Sequence, residues 1–228
     1  MSILSSVTSS LFLKRSDFDG DGILVPGPLY PKNYLYEAVK RGIDIFGALT
    51  VLTLVSPLMV FVGIGVRLTS KGNIIFNQKR LTKDGRAFDM YKFRTMVADA
   101  EKNGPAYAQS ADPRVTPFGR FLRISRLDEL PQLINVLIGD MSLIGPRPER
   151  PEMALDLAEA LPSFHRRLEV KAGLTGFAQI EGGYASDVES YRRKLALDLL
   201  YIKNRSLLLD IKIAAKTVLV ILTGFGAR

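Results

Sequence analysis

Apolar positions along the chain concentrate in one long run. From Ile45 to Val66 the sequence is almost uninterruptedly apolar, with Lys40 and Arg41 before the run and Arg67 at its close. At about 1.5 Å per residue, this length suits a helix in a bilayer. A core helix of a soluble domain fits poorly, because such helices are shorter and carry a polar face. Ser56-Pro57 stands in mid-run. Proline removes a helical donor and crowds the preceding turn, so the pattern predicts a kink. A spanning helix favours positive charge on one side only. A bent helix that enters and leaves by one face explains both basic flanks; a spanning helix with an incidental proline is the alternative. The chain then divides into an irregular lead (1–33), a re-entrant, Ser-Pro-broken membrane helix (34–67) and a domain (68–228).

Beyond the run the periodicity changes. Asn73–Gln78 and Phe88–Phe93 read as short strands around the turn Lys83-Asp84-Gly85. Residues 101–117 carry Gly104-Pro105 and Asp112-Pro113 and read as loop. A helix is predicted over 131–138, ended by Gly139-Asp140, and each proline of Gly145-Pro146-Arg147-Pro148 forces an extended or turning backbone. Residues 151–161 look helical, and 177–180 look like a short strand in a glycine-punctuated loop. Ser186 and Glu189 have capping-box spacing ahead of Val188, Tyr191, Leu195, Leu199 and Ile202 at helical intervals. The last helix, 207–223, sets Lys212 and Lys216 opposite Ile211, Ala215, Val218 and Leu222. It suits a membrane surface, and equally packing on the domain. The fold class is α/β, mostly helical, a small domain with amphipathic surface helices.

Composition narrows the chemistry. The formal net charge is +8, which points to anionic partners: phospholipid headgroups, phosphorylated substrates or nucleic acid. Aromatic residues are not interleaved with the basic ones as on a base-stacking platform, so nucleic acid is not expected. The chain has no cysteine and one histidine, His165, which excludes disulfides, thiolate metal sites and histidine clusters. Asp17, Asp19, Asp21 and Gly22 imitate a calcium loop, but Pro28 occupies the position of its closing glutamate. Met1–Lys14 lacks the basic start and cleavage site of a signal peptide.

The segment that carries chemistry runs from Arg123 to Asn135. Asp128 and Glu129 precede Pro131, and proline favours the first position of a helix. Negative charge is stabilised there, and an ionised carboxylate is what a nucleophile or a magnesium ligand requires. Taken alone, the pair equally fits an N-cap acid with surface ion pairs. The surrounding cations tip the balance. Arg123 and Arg126 precede the pair, Arg147 sits on a rigid turn, and Lys92 and Arg94 follow a strand, all suited to holding phosphate. No P-loop or dinucleotide-type glycine motif is present, so phosphate binding must rest on side-chain cations and a metal.

Five segments together resemble the bacterial sugar transferase family, the monotopic phosphoglycosyl transferases. They are Lys40-Arg41-Gly42-Ile43-Asp44 with the Ser56-Pro57 run, Tyr91–Met96, Leu127–Gln132, Gly139–Ser142 through Pro148, and Gly173-Leu174-Thr175-Gly176. They occur in the family's order and cover nearly everything from Tyr34 onward; Ala172 and Phe177 depart from the usual proline and tryptophan. The resemblance implies a re-entrant helix broken at Ser56-Pro57, which anchors the domain in the phospholipid bilayer at the cytoplasmic face of the bacterial inner membrane. It implies Mg2+ held by Asp128 and Glu129. It also implies a two-step transfer: Asp128 attacks the β-phosphate of a UDP-sugar, expels UMP and carries the phosphosugar, which undecaprenyl phosphate then takes. Glu129 assists with metal or protons, and Arg123 and Arg147 hold phosphate oxygens, with Lys92 and Arg94 as further phosphate ligands. The product initiates assembly of an exopolysaccharide or another glycoconjugate. The C-terminal stretch resembles members that act on glucose or galactose. Oligomeric state is left open, a homo-oligomer included. A binding module for anionic lipid gives the acidic pair no role.

Overall fold

A computed structural model describes residues 33–98, 100, 112–182 and 187–223. The lead up to residue 32 with its calcium-like segment, Gly104-Pro105 and Ser186 lie outside the described residues.

The apolar run forms one helix, α1 (Tyr34–Thr69), whose N-terminus is capped by Asn33 accepting from the Tyr36 amide at 3.0 Å. It is long and apolar enough to cross a membrane. The helical hydrogen-bonded run of α1 extends through Pro57. Proline opens one carbonyl, that of Thr53, and the Ser56 hydroxyl fills it.

The domain lies against α1 along nearly its whole length. Near the N-terminal end, Lys40 pairs with Asp210 at 2.9 Å, and Asp44 accepts from Ser142 and from the Leu143 amide. In the middle, Ala48 is fully buried, with Leu52 and Val55 beside it. Towards the other end, Val62 and Val66 enter a cluster with Phe93 and Leu122. The opposite face, including Phe46, Leu54, Val60 and Phe61, is bare.

After α1, strands β1 (Ile75–Leu81) and β2 (Ala87–Phe93) form an antiparallel hairpin in register from Ile75↔Phe93 to Leu81↔Ala87. Its turn takes Asp84 and Gly85 into the left-handed region (φ 58° and 73°). Helices α2 (Pro117–Ile124) and α3 (Gln132–Ile138) follow, then β3 (Met141–Ile144), α4 (Pro151–Ala160), a 3-10 segment and β4 (Ala172–Thr175), which pairs in parallel with β3. Helices α5 (Phe177–Glu181), α6 (Val188–Lys203) and α7 (Leu207–Thr223) complete the domain. Phe88, Met90, Leu133 and Val136 form one core between hairpin and α3. Leu195, Leu199, Ile202 and Ile213 form another with Phe164, Phe177 and Ile180.

Two local readings change, and a third is narrowed. Residues 177–180 are helical, not a strand. Phe177, Ala178 and Ile180 are all buried, a clustering that one face of a strand does not give. The capping box of α6 is Asp187 with Ser190, one residue beyond the predicted pair: Asp187 Oδ1 accepts from the Ser190 amide at 2.9 Å, and Ser190 Oγ accepts from the Asp187 amide at 3.0 Å. In α7 the domain takes the stripe Asp210, Ile213 and Thr217, leaving the predicted apolar stripe with Ile211 and Val218 exposed.

Candidate functional site

The acidic pair is presented by a strained reversal. Helix α2 begins at Pro117, where the Thr116 hydroxyl accepts from the Gly119 amide at 2.9 Å. It ends at Ile124, and Arg126 then adopts φ 56°. A non-glycine residue there costs roughly 1–2 kcal/mol, and such strain clusters at functional sites. The chain makes one 3-10 turn, Leu127–Glu129, before α3. Pro131 caps α3 rather than opening it, so the acids occupy a separate turn instead of the helix's own first positions. Side-chain cations, rather than a helix N-terminus, therefore balance their charge.

Glu129 is gripped from two sides. Its Oε1 accepts from Lys92 Nζ at 3.1 Å, and both its oxygens receive the Arg147 guanidinium, with Nη1 3.4 Å from Oε2. Burial alone would raise the Glu129 pKa; Arg147 and Lys92 outweigh it and hold the carboxyl well below the usual carboxylate range. In return Glu129 raises Arg147. Lys92 is lowered by burial, with Glu129 opposing.

Asp128 is different. It is buried, yet its carboxylate has no hydrogen-bond partner among the described residues. Burial pushes its pKa up to about 6; Lys92 pulls it down, and Glu129 pushes it further up. Two adjacent carboxylates thus have separate characters: Glu129 is a fixed anion, and Asp128 an unengaged one that is still mostly ionised at neutral pH.

Second-layer contacts fix the cations. Lys92 is carried by β2, which is docked on α3 by Asn135: its Oδ1 accepts from the Tyr91 amide at 3.0 Å and its Nδ2 donates to the Asp89 carbonyl at 2.8 Å. Arg147 sits on the loop after β3, whose own carbonyl accepts from Arg167 at 2.8 Å, while the Pro148 carbonyl accepts from Arg80 at 3.1 Å. The loop is pressed on β4 so closely that a Cβ at Gly173 would lie 2.1 Å from the Gly145 nitrogen. Glycine is required there by contact. Arg167 is in turn held by Asp198 at 2.7 Å, and Glu149 gathers Lys194, Arg167 and Arg80.

Of the predicted residues, Asp128, Glu129, Lys92 and Arg147 come together. Arg123 contributes positive potential at Asp128 and donates to Thr95 Oγ1 at 2.9 Å. Arg94 points elsewhere: it donates to the Ser70 carbonyl at 2.8 Å and latches the end of α1. Ser56 and Pro57 belong to α1 and not to the site. Arg80, whose charge reaches both Arg147 and Glu129, was not singled out from the sequence; its only signal is a basic residue in an inward strand position.

The described residues contain no group of three or more acidic or histidine side chains disposed to hold a metal. The available donors are the Asp128 oxygens and what remains free on Glu129 Oε2. Carboxylate oxygens of this kind suit magnesium, which takes one or two protein carboxylates and completes its shell with water and substrate phosphate.

The sequence profile of bacterial sugar transferases matches residues 35–224. A UDP-N-acetylgalactosamine-undecaprenyl-phosphate N-acetylgalactosaminephosphotransferase of Aeromonas hydrophila is 45% identical over 91% of this chain and 48% of its own length. The UDP-glucose:undecaprenyl-phosphate glucose-1-phosphate transferase of Escherichia coli K12 is 40% identical over 84% of this chain and 42% of its own. The chain thus spans about half the length of these two relatives. An exopolysaccharide production protein of Rhizobium leguminosarum is 38% identical over 81% of this chain and 96% of its own length.

Proposed function

The chain belongs to the bacterial sugar transferase family, and from that premise we propose that it transfers a sugar-1-phosphate from a UDP-sugar to undecaprenyl phosphate through a phosphosugar carried on Asp128. The observation that carries this reading is the pairing of an unengaged, buried Asp128 with a Glu129 locked between Lys92 and Arg147. A carboxylate that makes no hydrogen bond is available to attack phosphorus, and its raised pKa makes it more nucleophilic than an ordinary surface aspartate.

In the first step an Asp128 oxygen bonds to the β-phosphorus, the bond from that phosphorus to the bridging oxygen breaks, and UMP leaves. In the second, an oxygen of undecaprenyl phosphate attacks the same phosphorus and Asp128 departs, leaving undecaprenyl diphosphosugar. Arg147 and Lys92 keep Glu129 anionic and in place, and with Arg123 they offset the charge that repels an anionic attacker. Asp128 and Glu129 would hold Mg2+, which when bound would supply further neutralisation of phosphate charge.

The placement of α1 supports a monotopic arrangement at the cytoplasmic face of the inner membrane. A helix crossing a bilayer is bare through the hydrocarbon core, about 30 Å. Here one polar domain touches α1 at Lys40, Ala48, Val62 and, through Arg94, Ser70, so it lies alongside the helix rather than beyond one end. A domain so placed cannot sit in water if α1 stands upright across the membrane. Re-entrance puts the bare face of α1 and the exposed stripe of α7 in lipid and the acidic pair at the interface, where a lipid phosphate reaches it.

The test is UMP release from a panel of UDP-glucose, UDP-galactose and UDP-N-acetylgalactosamine with undecaprenyl phosphate and magnesium. One donor is expected to give UMP and lipid-linked product in equal amounts. Absence of UMP with every donor, or UMP without lipid product, overturns the reading.

A further inference from the structure

We propose that the pocket at the basic start of α1 binds the phosphate of an anionic phospholipid headgroup. The pocket measures about 60 Å³ and is bounded by the first turns of α1, the hairpin turn at Lys83, the entry to β4 at Lys171, and Arg205 between α6 and α7. It shares no lining residue with the Asp128–Glu129 site.

Its charge is not balanced from within. Lys40 is taken by Asp210 at 2.9 Å, and Arg205 pairs with Glu37. Asp44 is the other acid of the wall, and its Oδ1 already accepts from Ser142 Oγ and the Leu143 amide. Against it stand Arg41, Lys83 and Lys171. Arg41 spends two donors on the Val136 and Leu137 carbonyls, at 2.6 and 2.8 Å, and these neutral groups do not cancel its charge. The ammonium groups of Lys83 and Lys171 make no hydrogen bond or ion pair with any described residue. Arg41 and Lys171 nonetheless converge: a Cβ built on Gly139 would lie 3.4 Å from Arg41 Nη2 and 3.7 Å from Lys171 Nζ. Three like charges, Arg41, Lys83 and Lys171, against the single carboxylate of Asp44 leave a positive excess that suits an anion. Burial and then the charge of Arg41 lower the Lys171 pKa, Asp44 opposes them and Lys83 adds to the lowering; a bound phosphate would offset this cost.

The position selects a lipid phosphate over a free one. Ile43, Ile45, Phe46 and Leu49 are exposed on α1 directly beside Arg41 and Asp44. With α1 in the bilayer, the pocket mouth lies where apolar surface begins, at headgroup depth, where basic side chains meet anionic lipid. Acyl chains then run along the bare face of α1.

Thermal unfolding of the full chain in nonionic detergent tests this, with added dihexanoyl phosphatidylglycerol, dihexanoyl phosphatidylcholine or inorganic phosphate. Phosphatidylglycerol should raise the unfolding temperature in a saturable way. Phosphatidylcholine, whose choline cation faces the same positive field, and inorganic phosphate should raise it far less. Lys171→Ala and Lys83→Ala should each weaken the phosphatidylglycerol effect about tenfold in midpoint concentration. Neither side chain has a partner to lose, and either variant suffices if the other fails to fold. Arg147→Ala should keep the full response. An equal effect of inorganic phosphate overturns the lipid assignment, and so does an equal effect of phosphatidylcholine. A response unchanged in the lysine variants, or lost in Arg147→Ala, overturns the pocket.

Discussion

The hydroxyl of Ser56 donates a 2.9 Å hydrogen bond to the carbonyl of Thr53. Thr53 stands four residues before Pro57 and is the acceptor that a backbone N–H at position 57 would have served. The side chain therefore replaces the donor that proline lacks. This is how α1 passes Pro57 without interruption, although proline in a helix interior costs about 3 kcal/mol. Both residues lie on the face the domain leaves bare, where lipid offers no substitute donor.

Ser56→Ala should therefore destabilise the protein by about 1–3 kcal/mol, the usual penalty for leaving a buried acceptor unmet. Ser56→Thr retains a hydroxyl and should remain near wild type. Thermal unfolding in lipid nanodiscs reads the difference; equal stability of the alanine and threonine variants would mean that the hydroxyl contributes nothing.

Asp128→Asn should form no covalent adduct. Wild-type enzyme incubated with its UDP-sugar and no lipid acceptor is expected to gain the mass of one sugar phosphate, seen by intact-protein mass spectrometry, with one UMP released. A carboxamide is a poor nucleophile, and the change leaves the Glu129–Arg147 pairing in place. A heavier species in the asparagine variant would remove Asp128 from the nucleophile's role.

Arg147→Lys should lower kcat/KM roughly ten- to hundredfold, since a lysine offers a point charge where the guanidinium spans both Glu129 oxygens. The loop is pinned by Arg80 and Arg167, so the backbone has little room to adapt. Steady-state kinetics beside an unchanged unfolding temperature is the measurement. Wild-type kinetics would show that Glu129 needs no fork.

Part of this arrangement is legible in the sequence for local reasons. The hairpin announces itself by apolar residues around Lys83-Asp84-Gly85, and α1 by its length. Asp128, Glu129 and Arg147 stand out because an acidic pair ahead of a helix coincides with several cations suited to phosphate. What stays hidden is long-range. Arg80 and Arg167 reach the Arg147 loop from segments 67 and 20 residues away along the chain (147−80 and 167−147), and no spacing rule encodes that. Asn135 looks like one more polar residue of a short helix until β2 is laid against it. Arg94 was misplaced for a related reason: two residues after Lys92, it was expected to share its target, yet it turns to Ser70. Ser186 and Asp187 are both competent caps, so sequence could not separate them.

Arg94→Ala should accordingly act on stability. Removing the guanidinium frees the Ser70 carbonyl and the end of α1 from the domain, at a cost of about 1–3 kcal/mol. Turnover per folded molecule is expected to change little. A lost turnover with an unaltered unfolding temperature would return Arg94 to phosphate binding.

The topology of α1 can be read with reporter cysteines, because the chain has none of its own. Tyr34, the first residue of α1, and Asn73, just beyond its end, are exposed, and neither side chain holds a cap or an ion pair. In intact cells an impermeant thiol reagent should label neither the Tyr34→Cys nor the Asn73→Cys variant, and both should react once the inner membrane is opened. The reason is the domain itself. Lys40 is tied to Asp210, Arg41 to the end of α3 and Asp44 to β3, so the first turns of α1 are bonded to the same body as its last. Sending Tyr34 to the far side would break those bonds or drag charged surface through hydrocarbon, where each unmet charge costs several kcal/mol. Labelling of the Tyr34→Cys variant in intact cells, with Asn73→Cys still protected, would establish a spanning helix and remove the re-entrant arrangement.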